Sequence, residues 1–497
     1  MINLSFLKDS AYEICVTAVY IINFLVILNL IFREKRSIET TVAWILILST
    51  IPALGFVLYI CFGRGISKDN MFKIKEAEDK IIKNNILDTH VKLEYPNRFD
   101  STVFAHRDMI YALANSNNAH FTDNNTVDIY AQCNEFFDSL LNELAQAKQY
   151  INIQFYIFKD DDIGNKIIDI LLDKVKEGVE VRLLYDAVGS RLLTDKSIAK
   201  LKKGGVKVGS FFPSFMKIIN FNLNYRNHRK IVVVDGKVGF VGGNNVGDEY
   251  LGKDFKFGNW RDTHVRLTGD CVRDLNIRFI LDWRYTTKED LDLNKYFNDD
   301  CCTTASTTSS SSNNIGVQIV SSGPDITELH EIKYGYIKMI QSAKKYVYIQ
   351  SPYFILDKTL TDTLKIACLS GVDVRIMIPS KPDHPFVYWA SCSYAGELLK
   401  FGAKLYTYDE NSFLHAKTIV IDDAICSIGT ANMDIRSFEL NFEVNAFIYS
   451  CDIAQKQKLI FENDILYSKE VTLDLYNSRS TGIKIKESIS RLLSPVL

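Results

Sequence analysis

The sequence predicts an α/β protein that is built from two similar halves and preceded by a pair of apolar helices. A five-residue pattern occurs twice, and stretches with strand character alternate with amphipathic helical stretches around each copy. Two long uncharged segments near the start of the chain predict the apolar helices. At 497 residues, two or three domains are expected, from a prior of about 150 residues each.

Composition places the chain among ordinary folded proteins. Hydrophobic residues make up 47% and charged residues 24% of the sequence, which is enough for a sizeable core. The formal net charge of -2 gives no overall basic footprint, so nucleic acid is not expected as a partner. The ten cysteines form no CxxC pair or Cys/His ligand run, which predicts no zinc site. Free cysteines at this density favour a reducing compartment.

Residues 1–65 are predicted to form a membrane-anchoring helical hairpin. Residues 14–32 and 40–63 carry no charged side chain, and each is long enough to cross a hydrocarbon core of about 30 Å. We place the spans at about 12–32 and 40–62, which predicts a multi-pass protein of the cell membrane. A cleaved signal peptide is the alternative, but its apolar region would be shorter and would not precede a second span.

The distribution of basic residues predicts that the soluble part lies in the cytoplasm. The loop between the spans holds Arg33, Lys35 and Arg36. Five basic residues lie on the other side of the spans: Lys8, Arg64, Lys68, Lys73 and Lys75. Under the positive-inside rule this excess favours a cytoplasmic location. The lysine-rich connector at 66–101 is expected either to contact anionic headgroups or to be a solvated segment.

The two halves are predicted to span 102–300 and 316–497. Between them, 301–315 is rich in serine and threonine, a composition typical of a flexible linker. This segment therefore marks the boundary of the duplication.

Local patterns around the two copies predict βαβ units. Residues 150–157 read as a strand, 165–176 as an amphipathic helix, and 178–184 as a second strand. Residues 346–350 and 371–375 repeat the two strands in the second half. This order predicts a mainly parallel sheet in each half.

The repeated pattern is His-x-Lys-x4-Asp-x6-Gly-x2-Asn. It reads HRKIVVVDGKVGFVGGNN at 228–245 and HAKTIVIDDAICSIGTAN at 415–432. The β-branched run in each copy predicts a strand, on which His and Lys share one face while the Asp points to the other. The Asp-Gly pair at 235–236 is a hairpin-turn signal, so the chain should return and bring the Asn beside the His. The Asp is therefore expected to hold the end of the strand.

The doubled motif offers two imidazoles, two ammonium groups and two carboxamides to one ligand, and this set suits a phosphate group. One His can attack phosphorus while the other protonates the leaving alkoxide, and the Lys and Asn side chains would stabilise charge on the nonbridging oxygens. No metal or other cofactor is predicted. For one copy, a buried strand with a hydrogen-bonded His would be the simpler interpretation, but two copies at matched spacing argue against it. The candidate catalytic residues are His228, Lys230, Asp235, His415, Lys417 and Asp422, with Asn245 and Asn432 as phosphate-binding candidates.

These residues resemble the phospholipase D superfamily, which is defined by paired HxKxxxxD motifs, and within it the bacterial cardiolipin synthases. The similarity covers nearly the whole chain. It rests on five stretches: 43–64, 227–230, 260–262, 413–417 and 432–443. It implies two phospholipase D-like βα sandwich halves that pack as one pseudo-twofold domain with a single active site between them.

The resemblance also implies residue roles and a reaction. His228 would be the nucleophile that forms a phosphohistidine, and His415 would act first as acid and then as base. Asp262 and Glu443 stand where the family carries acidic residues that orient the histidines. For Asp262 the alternative is a surface ion pair. The implied reaction transfers a phosphatidyl group between two phosphatidylglycerol molecules and gives cardiolipin and glycerol.

Other functions stay open at this stage. Water could be the acceptor, as in a phospholipase D-type hydrolase, or the enzyme could be another phosphatidyltransferase. A membrane-anchored nuclease would need a basic, aromatic-lined groove, and an inactive lipid-binding scaffold is disfavoured by the complete motifs. Residues 211–216 are expected to pack in the core or to dip into the membrane interface. The expected partners are phosphatidylglycerol and anionic membrane lipid, and the oligomeric state is not indicated.

Overall fold

The computed structural model describes residues 4–32, 38–60, 101–117, 119–213, 225–291, 296, 315–324 and 329–494. The predicted connector at 66–101 and the predicted linker at 301–315 therefore lie outside the described residues, except for their last positions. The chain forms two compact units, one containing the N-terminal helices and the other containing 68–213 and 226–495.

The N-terminal unit contains α1 (Leu4–Phe32), α2 (Ile38–Thr50) and α3 (Pro52–Leu58). The second predicted span is interrupted at Ile51, because Pro52 has no amide hydrogen to donate to the Leu48 carbonyl. The Asn23 side chain of α1 supplies this missing donor: its Nδ2 lies 3.0 Å from the carbonyl oxygens of both Leu48 and Pro52. One buried polar side chain thus stabilises the helix break and joins α1 to it.

The outer surfaces of these three helices are apolar. The exposed side chains include Ile14, Phe24, Leu25, Phe32, Leu46, Leu54 and Val57. Within the described residues, however, no helix combines the length and the apolar character that a bilayer crossing requires. The predicted pair of spans is therefore not confirmed.

The second unit consists of two β-sheets flanked by helices. Its helices are α4 (Ser101–Ala105), α5 (Arg107–Asn117), α6 (Cys133–Gln146), α7 (Asp162–Lys176), α8 (Asp195–Lys203), α9 (Cys271–Thr287), α10 (Glu331–Ser342), α11 (Lys358–Leu369), α12 (Pro385–Leu398), α13 (Ile435–Glu439), α14 (Cys451–Ile465), α15 (Leu473–Asn477) and α16 (Thr481–Leu492). Its strands before the linker are β1 (Phe121–Thr122), β2 (Asn125–Tyr130), β3 (Tyr150–Phe155), β4 (Glu180–Asp186), β5 (Lys207–Phe211), β6 (Arg226–Asn227), β7 (Ile231–Val234), β8 (Val238–Gly242), β9 (Asn259–Arg261) and β10 (His264–Gly269). The strands after it are β11 (Gly316–Ser322), β12 (Tyr346–Gln350), β13 (Phe354–Ile355), β14 (Asp373–Ile378), β15 (Lys404–Thr407), β16 (Ser412–Leu414), β17 (Thr418–Ile421), β18 (Ile425–Gly429), β19 (Met433–Asp434), β20 (Asn441–Tyr449) and β21 (Lys469–Val471).

The two large sheets have the same strand order, which confirms the duplication. One runs β2-β10-β8-β7-β3-β4-β5, and the other contains the equivalent order β11-β20-β18-β17-β12-β14-β15. In each sheet the last three strands are parallel and the others are antiparallel. The prediction of a mainly parallel sheet is wrong, because each motif forms a tight hairpin and a hairpin joins antiparallel strands.

The segment that precedes the first sheet packs with the second half. Val103, Ile110 and Phe121 share a hydrophobic core with Ile349 and Ile376. In addition, β1 pairs with β11 and thereby extends the second sheet. The sequence had placed this segment in the first half, but its apolar side chains are buried by the second.

Two short strand pairs connect the halves next to the motifs. β6 pairs with β20, with Asn227 opposite Phe442. β9 pairs with β16, with Trp260 opposite Phe413. These pairs place the start of each motif directly beside a strand of the other half.

Candidate active site

The first motif histidine is held by the second half. The His228 backbone amide donates to the carbonyl oxygen of Phe442 at 2.9 Å. Its imidazole Nδ1 lies 3.0 Å from both carboxylate oxygens of the next residue, Glu443. The Lys230 Nζ donates back to the His228 carbonyl oxygen at 2.7 Å. All of these groups are buried, so water competes little for their hydrogen bonds.

The second motif repeats this arrangement with the halves exchanged. The His415 amide donates to the Arg261 carbonyl oxygen at 2.7 Å, and its Nδ1 lies 2.6 Å from Asp262 Oδ2. The Lys417 Nζ donates to the His415 carbonyl oxygen. Asp262 is fully buried, so the alternative interpretation of Asp262 as part of a surface ion pair is wrong. Each histidine is therefore paired with a carboxylate from the other half.

The motif aspartates lie elsewhere. Asp235 accepts hydrogen bonds from three successive backbone amides: Lys148 at 2.7 Å, Gln149 at 2.7 Å and Tyr150 at 2.9 Å. Asp422 binds the equivalent amides of Lys344, Lys345 and Tyr346. These hydrogen bonds go to backbone amides and not to His228 or His415, although both aspartates were included among the candidate catalytic residues. They hold the hairpin to the start of the neighbouring strand, as strand alternation predicts.

The two candidate asparagines differ in their hydrogen bonding. Asn245 accepts from the Ile157 amide at 3.0 Å and donates to the Tyr250 hydroxyl at 2.9 Å, so it supports the scaffold. Asn432 is buried, and its Oδ1 has no partner among the residues that the structure describes. The Oδ1 of Asn432 can therefore accept a hydrogen bond from a ligand.

The two histidines are neutral in the ligand-free protein near neutral pH. Burial lowers the pKa of His228 to about 4, although Glu443 opposes the shift. Burial lowers the pKa of His415 to about 4 as well, and Lys417 adds to this effect. If each neutral ring donates its Nδ1 hydrogen to the carboxylate beside it, the lone pair lies on Nε2. That tautomer has the form required of a nucleophile or a general base.

The two lysines couple the motifs electrostatically. Burial lowers the pKa of Lys230 to about 7 and that of Lys417 to about 8. The charge of Lys417 lowers the pKa of His228, and the charge of Lys230 lowers the pKa of His415. The motifs thus share one environment, whose positive charge is suited to an anion.

The two carboxylates beside the histidines remain ionised in spite of their burial. Burial alone would raise the pKa of Asp262, but Lys417 and His415 more than offset this effect and the pKa is lowered. The pKa of Glu443 is lowered in the same way, because His228 offsets the effect of burial.

In the described part of the chain, no group of three or more His, Cys, Asp or Glu side chains is arranged to hold a metal ion.

Two aromatic side chains that sequence reasoning missed pack against the histidines. The Tyr156 ring meets the His228 ring edge-on, with the centroids 4.9 Å apart. The Trp260 ring lies 5.3 Å from that of His415. Tyr156 lies within the predicted strand 150–157 and Trp260 within the stretch 260–262 that carries the family resemblance, but an aromatic residue at such a position is equally typical of a core.

Two buried ion pairs support the site, and neither was predicted from the sequence. Arg229 binds Asp282 at 2.5 Å, and Arg261 binds Asp464 at 2.8 Å. Each aspartate also accepts from a glutamine at the end of a central strand: Gln154 donates to Asp282 at 2.8 Å and Gln350 donates to Asp464 at 2.7 Å. Gln154 and Gln350 occupy equivalent positions near the ends of β3 and β12, and this repetition was a signal in the sequence that could have indicated a shared polar contact.

The aromatic residues before the first motif pack inward. Phe211 and Phe212 are buried, and their ring centroids lie 5.3 and 6.0 Å from that of Phe442, next to Glu443. These two residues therefore belong to the core, while 214–216 lie outside the described residues.

The duplicated fold and the paired histidines and lysines define a phospholipase D-like protein. The family model described as "Cardiolipin synthase, PLD-like domain" matches residues 140–256 and 336–465, which include both motifs. A second model, "Phospholipase D-nuclease N-terminal", matches residues 21–64. The chain belongs to the cardiolipin synthase family of phospholipase D-like proteins.

Relatives in this family align over almost the whole chain. The major cardiolipin synthase ClsA of Bacillus subtilis is 48% identical over 495 residues, covering 98% of this chain and 100% of that protein. A cardiolipin synthase of Oceanobacillus iheyensis is 47% identical, covering 96% and 98% of the two chains. The crystal structure of phosphatidylserine synthase from Haemophilus influenzae has a TM-score of 0.58 at 17% identity, over 78% of this chain and all of that one, and it supports the fold alone.

Proposed function

We propose that this protein is a cardiolipin synthase that transfers a phosphatidyl group from one phosphatidylglycerol to another, with cardiolipin and glycerol as products. The observation that carries the proposal is the pair of buried histidines, each held by a carboxylate of the other half and flanked by a buried lysine. Relatives that align over nearly the full chain and are named cardiolipin synthases supply the substrate class.

In the first step, Nε2 of His228 attacks the phosphorus of the donor lipid. The bond between phosphorus and the glycerol headgroup oxygen breaks, and protonated His415 gives its Nε2 proton to that oxygen. Free glycerol leaves, and a phosphatidyl group remains on His228. Lys230 and Lys417 offset the negative charge on the nonbridging oxygens.

In the second step, neutral His415 accepts a proton from a glycerol hydroxyl of a second phosphatidylglycerol. The resulting oxygen attacks phosphorus, the phosphorus–nitrogen bond breaks, and His228 is released with cardiolipin as the product. Asp262 stabilises the imidazolium form of His415, and the bound phosphate raises the pKa of that histidine above its ligand-free value. The pseudo-twofold geometry is symmetric, so the family resemblance supplies the assignment of His228 as nucleophile.

The N-terminal unit is proposed to anchor the enzyme in the cell membrane as a two-helix hairpin, with spans at about 12–32 and 40–62. The exposed apolar side chains of α1, α2 and α3 and the match to an N-terminal family model support this proposal. The excess of basic residues outside the hairpin loop supports a cytoplasmic catalytic domain.

The activity can be tested with the purified full-length protein in micelles that contain labelled phosphatidylglycerol, with and without a chelator. Cardiolipin and free glycerol are expected, at the same rate in both cases. Phosphatidic acid as the sole product would instead identify a hydrolase.

The roles of the two histidines can be separated by trapping the intermediate. His415→Ala lacks the acid of the first step and the base of the second, so it should form a phosphoenzyme from labelled lipid more slowly than wild type and then retain it, because the nucleophile is intact. His228→Ala should accumulate none. Denaturing gels run at alkaline pH measure the label on the protein, because acid hydrolyses a phosphorus–nitrogen bond, and the reverse pattern would exchange the two assignments.

A further inference from the structure

The last helix, α16, turns its polar side towards the protein and its apolar side away from it. Glu487 and Ser490 are 4% and 1% exposed, and Glu487 accepts a hydrogen bond from Arg479 at 2.8 Å. The outward side chains are Ile485, Ile489, Leu492 and Leu493, with exposures of 53%, 49%, 81% and 37%. Their i, i+4, i+7, i+8 spacing places them on one face, which we call the apolar stripe. This orientation is the reverse of that of an ordinary surface helix.

The charges beside the apolar stripe are positive. Lys484 and Lys486 are exposed, and at 100° per residue they lie on opposite edges of the stripe. Glu487 is the acidic residue of this helix, and it is buried on the inner side. An apolar stripe with lysines at both edges is the pattern of a helix that lies in the interface of an anionic bilayer.

The stripe runs alongside α12. Lys486 Nζ lies 5.2 Å from the Trp389 ring centroid, and Arg491 binds Glu397 at 2.7 Å, so the two helices run in the same direction. The first turn of α12 adds a further exposed apolar side chain, Phe386, at 53% exposure.

The start of α12 is connected to the active-site end of the second sheet. Asp383, just before α12, accepts a hydrogen bond from the Tyr353 hydroxyl. Tyr353 follows β12, whose last residue, Gln350, pairs with Thr418, the residue after Lys417. The apolar surface therefore extends towards the end of the sheet that carries the second motif.

We propose that α16 and the first turn of α12 form a membrane contact of the catalytic unit, in which the apolar stripe enters an anionic lipid surface and the flanking lysines bind headgroup phosphates. This contact would hold the active-site end of the second half against the surface that contains the lipid substrate.

Charge favours a lipid surface over a second copy of the chain. Two copies that met through the same stripe would bring lysines of like charge together, whereas anionic headgroups attract them. Each lysine near such a surface raises the affinity for the membrane by about fivefold. Burial of two aliphatic side chains in the bilayer raises this affinity by about tenfold or more.

Hydrogen–deuterium exchange tests the contact on the full-length protein reconstituted in lipid nanodiscs. Amides of 481–493 should exchange about tenfold more slowly in discs that contain phosphatidylglycerol than in discs of phosphatidylcholine. Ile489→Ser with Leu492→Ser should remove this difference. The matched control is Ile366→Ser with Leu369→Ser on α11, where the side chains are 64% and 72% exposed, and it should keep the difference.

Equal exchange in both lipids would overturn the proposal. So would protection that appears in detergent and rises with protein concentration, because it would identify a second copy as the occupant.

Activity gives an independent measurement. The Ile489→Ser, Leu492→Ser variant should turn over bilayer phosphatidylglycerol about tenfold more slowly and short-chain, monomerically dissolved phosphatidylglycerol at the unchanged rate. Equal losses on both substrates would assign the stripe to folding and overturn the membrane contact. If the wild-type protein turned over neither lipid, the proposed function would fail while the exchange result would still decide the contact.

Discussion

At the scale of single residues, the site holds two lysines where burial opposes their charge. Lys230 is fully buried and its pKa falls to about 7, compared with a usual value of 10.5. A group with a lowered pKa binds fewer protons in the folded state than in the unfolded state, so its burial reduces stability at neutral pH. Placing the Lys230 ammonium group beside the reacting phosphate therefore lowers the free energy of unfolding.

Lys230→Met should therefore stabilise the fold and abolish activity. At pH 7 we expect the free energy of unfolding to rise by about 2 kcal/mol, and the gain to shrink as the pH rises towards 10 and the wild-type lysine loses its proton. Thermal unfolding in detergent over this pH range measures the effect. Lys174→Met is the control, because Lys174 is buried but its partner Glu177, at 2.7 Å, is 55% exposed, so the midpoint should not rise. A lower midpoint for Lys230→Met would contradict the argument.

The histidines predict a loss of stability in acid. The pKa of His228 is about 4 in the folded protein and 6.5 in a model peptide, so the unfolded state binds more protons between these values. Stability should fall as the pH drops through this window, by up to about 3 kcal/mol per histidine.

Unfolding free energies measured from pH 7 to pH 4 test this expectation. His228→Asn should reduce the slope by about 1.4 kcal/mol per pH unit, the value for one proton. An unchanged slope would mean that His228 has the same pKa in the folded and unfolded states, which contradicts the argument.

At the scale of elements, the motif hairpin is held by its aspartate. Asp235 has a positive φ of 53°, and Gly236 follows with 66°, which together give the turn that reverses the chain. The Asp235 carboxylate also accepts from three backbone amides at the start of β3. The hairpin and the neighbouring strand are thus joined through one side chain.

Asp235→Asn should lower the free energy of unfolding by about 2 kcal/mol, because an amide cannot replace a carboxylate that accepts three hydrogen bonds. Activity per folded molecule should stay within a few-fold of wild type, since this side chain does not contact His228. Chemical unfolding and turnover measured on the same preparation separate the two effects. Asp422→Asn makes the equivalent change in the second half and should behave alike. A stable but inactive Asp235→Asn protein would show that the residue takes part in the chemistry.

Local features could be predicted from the sequence, and non-local ones could not. The hairpins of 228–245 and 415–432 could be predicted because the β-branched runs and the turn residues lie within a few positions of each other in the sequence. The position of 101–122 in the second half could not be predicted, because β1 has two residues and shows no periodicity. The break at Ile51 was missed because a proline within an apolar run was included in one span.

At the scale of the whole molecule, the site depends on pairings between the halves. His228 and Glu443 are 215 positions apart, and His415 and Asp262 are 153 apart. Sequence spacing does not show which carboxylate faces which histidine, and it was the family resemblance that indicated these two residues. Because each half supplies the carboxylate for the other, neither half contains a complete site.

Cleavage between the halves should therefore leave an active complex. A specific protease site introduced within 301–314 would cut the predicted linker, while the β6–β20 and β9–β16 pairs and the shared core of 101–122 would remain. We expect the two fragments to migrate together in size-exclusion chromatography and to keep at least about half of the activity, since the contacts that join His228 to Glu443 and His415 to Asp262 are noncovalent and do not require a continuous chain at the cut. The uncut protein with the same inserted site is the control. Dissociation of the fragments on cleavage, or loss of activity without dissociation, would show that the linker itself maintains the site.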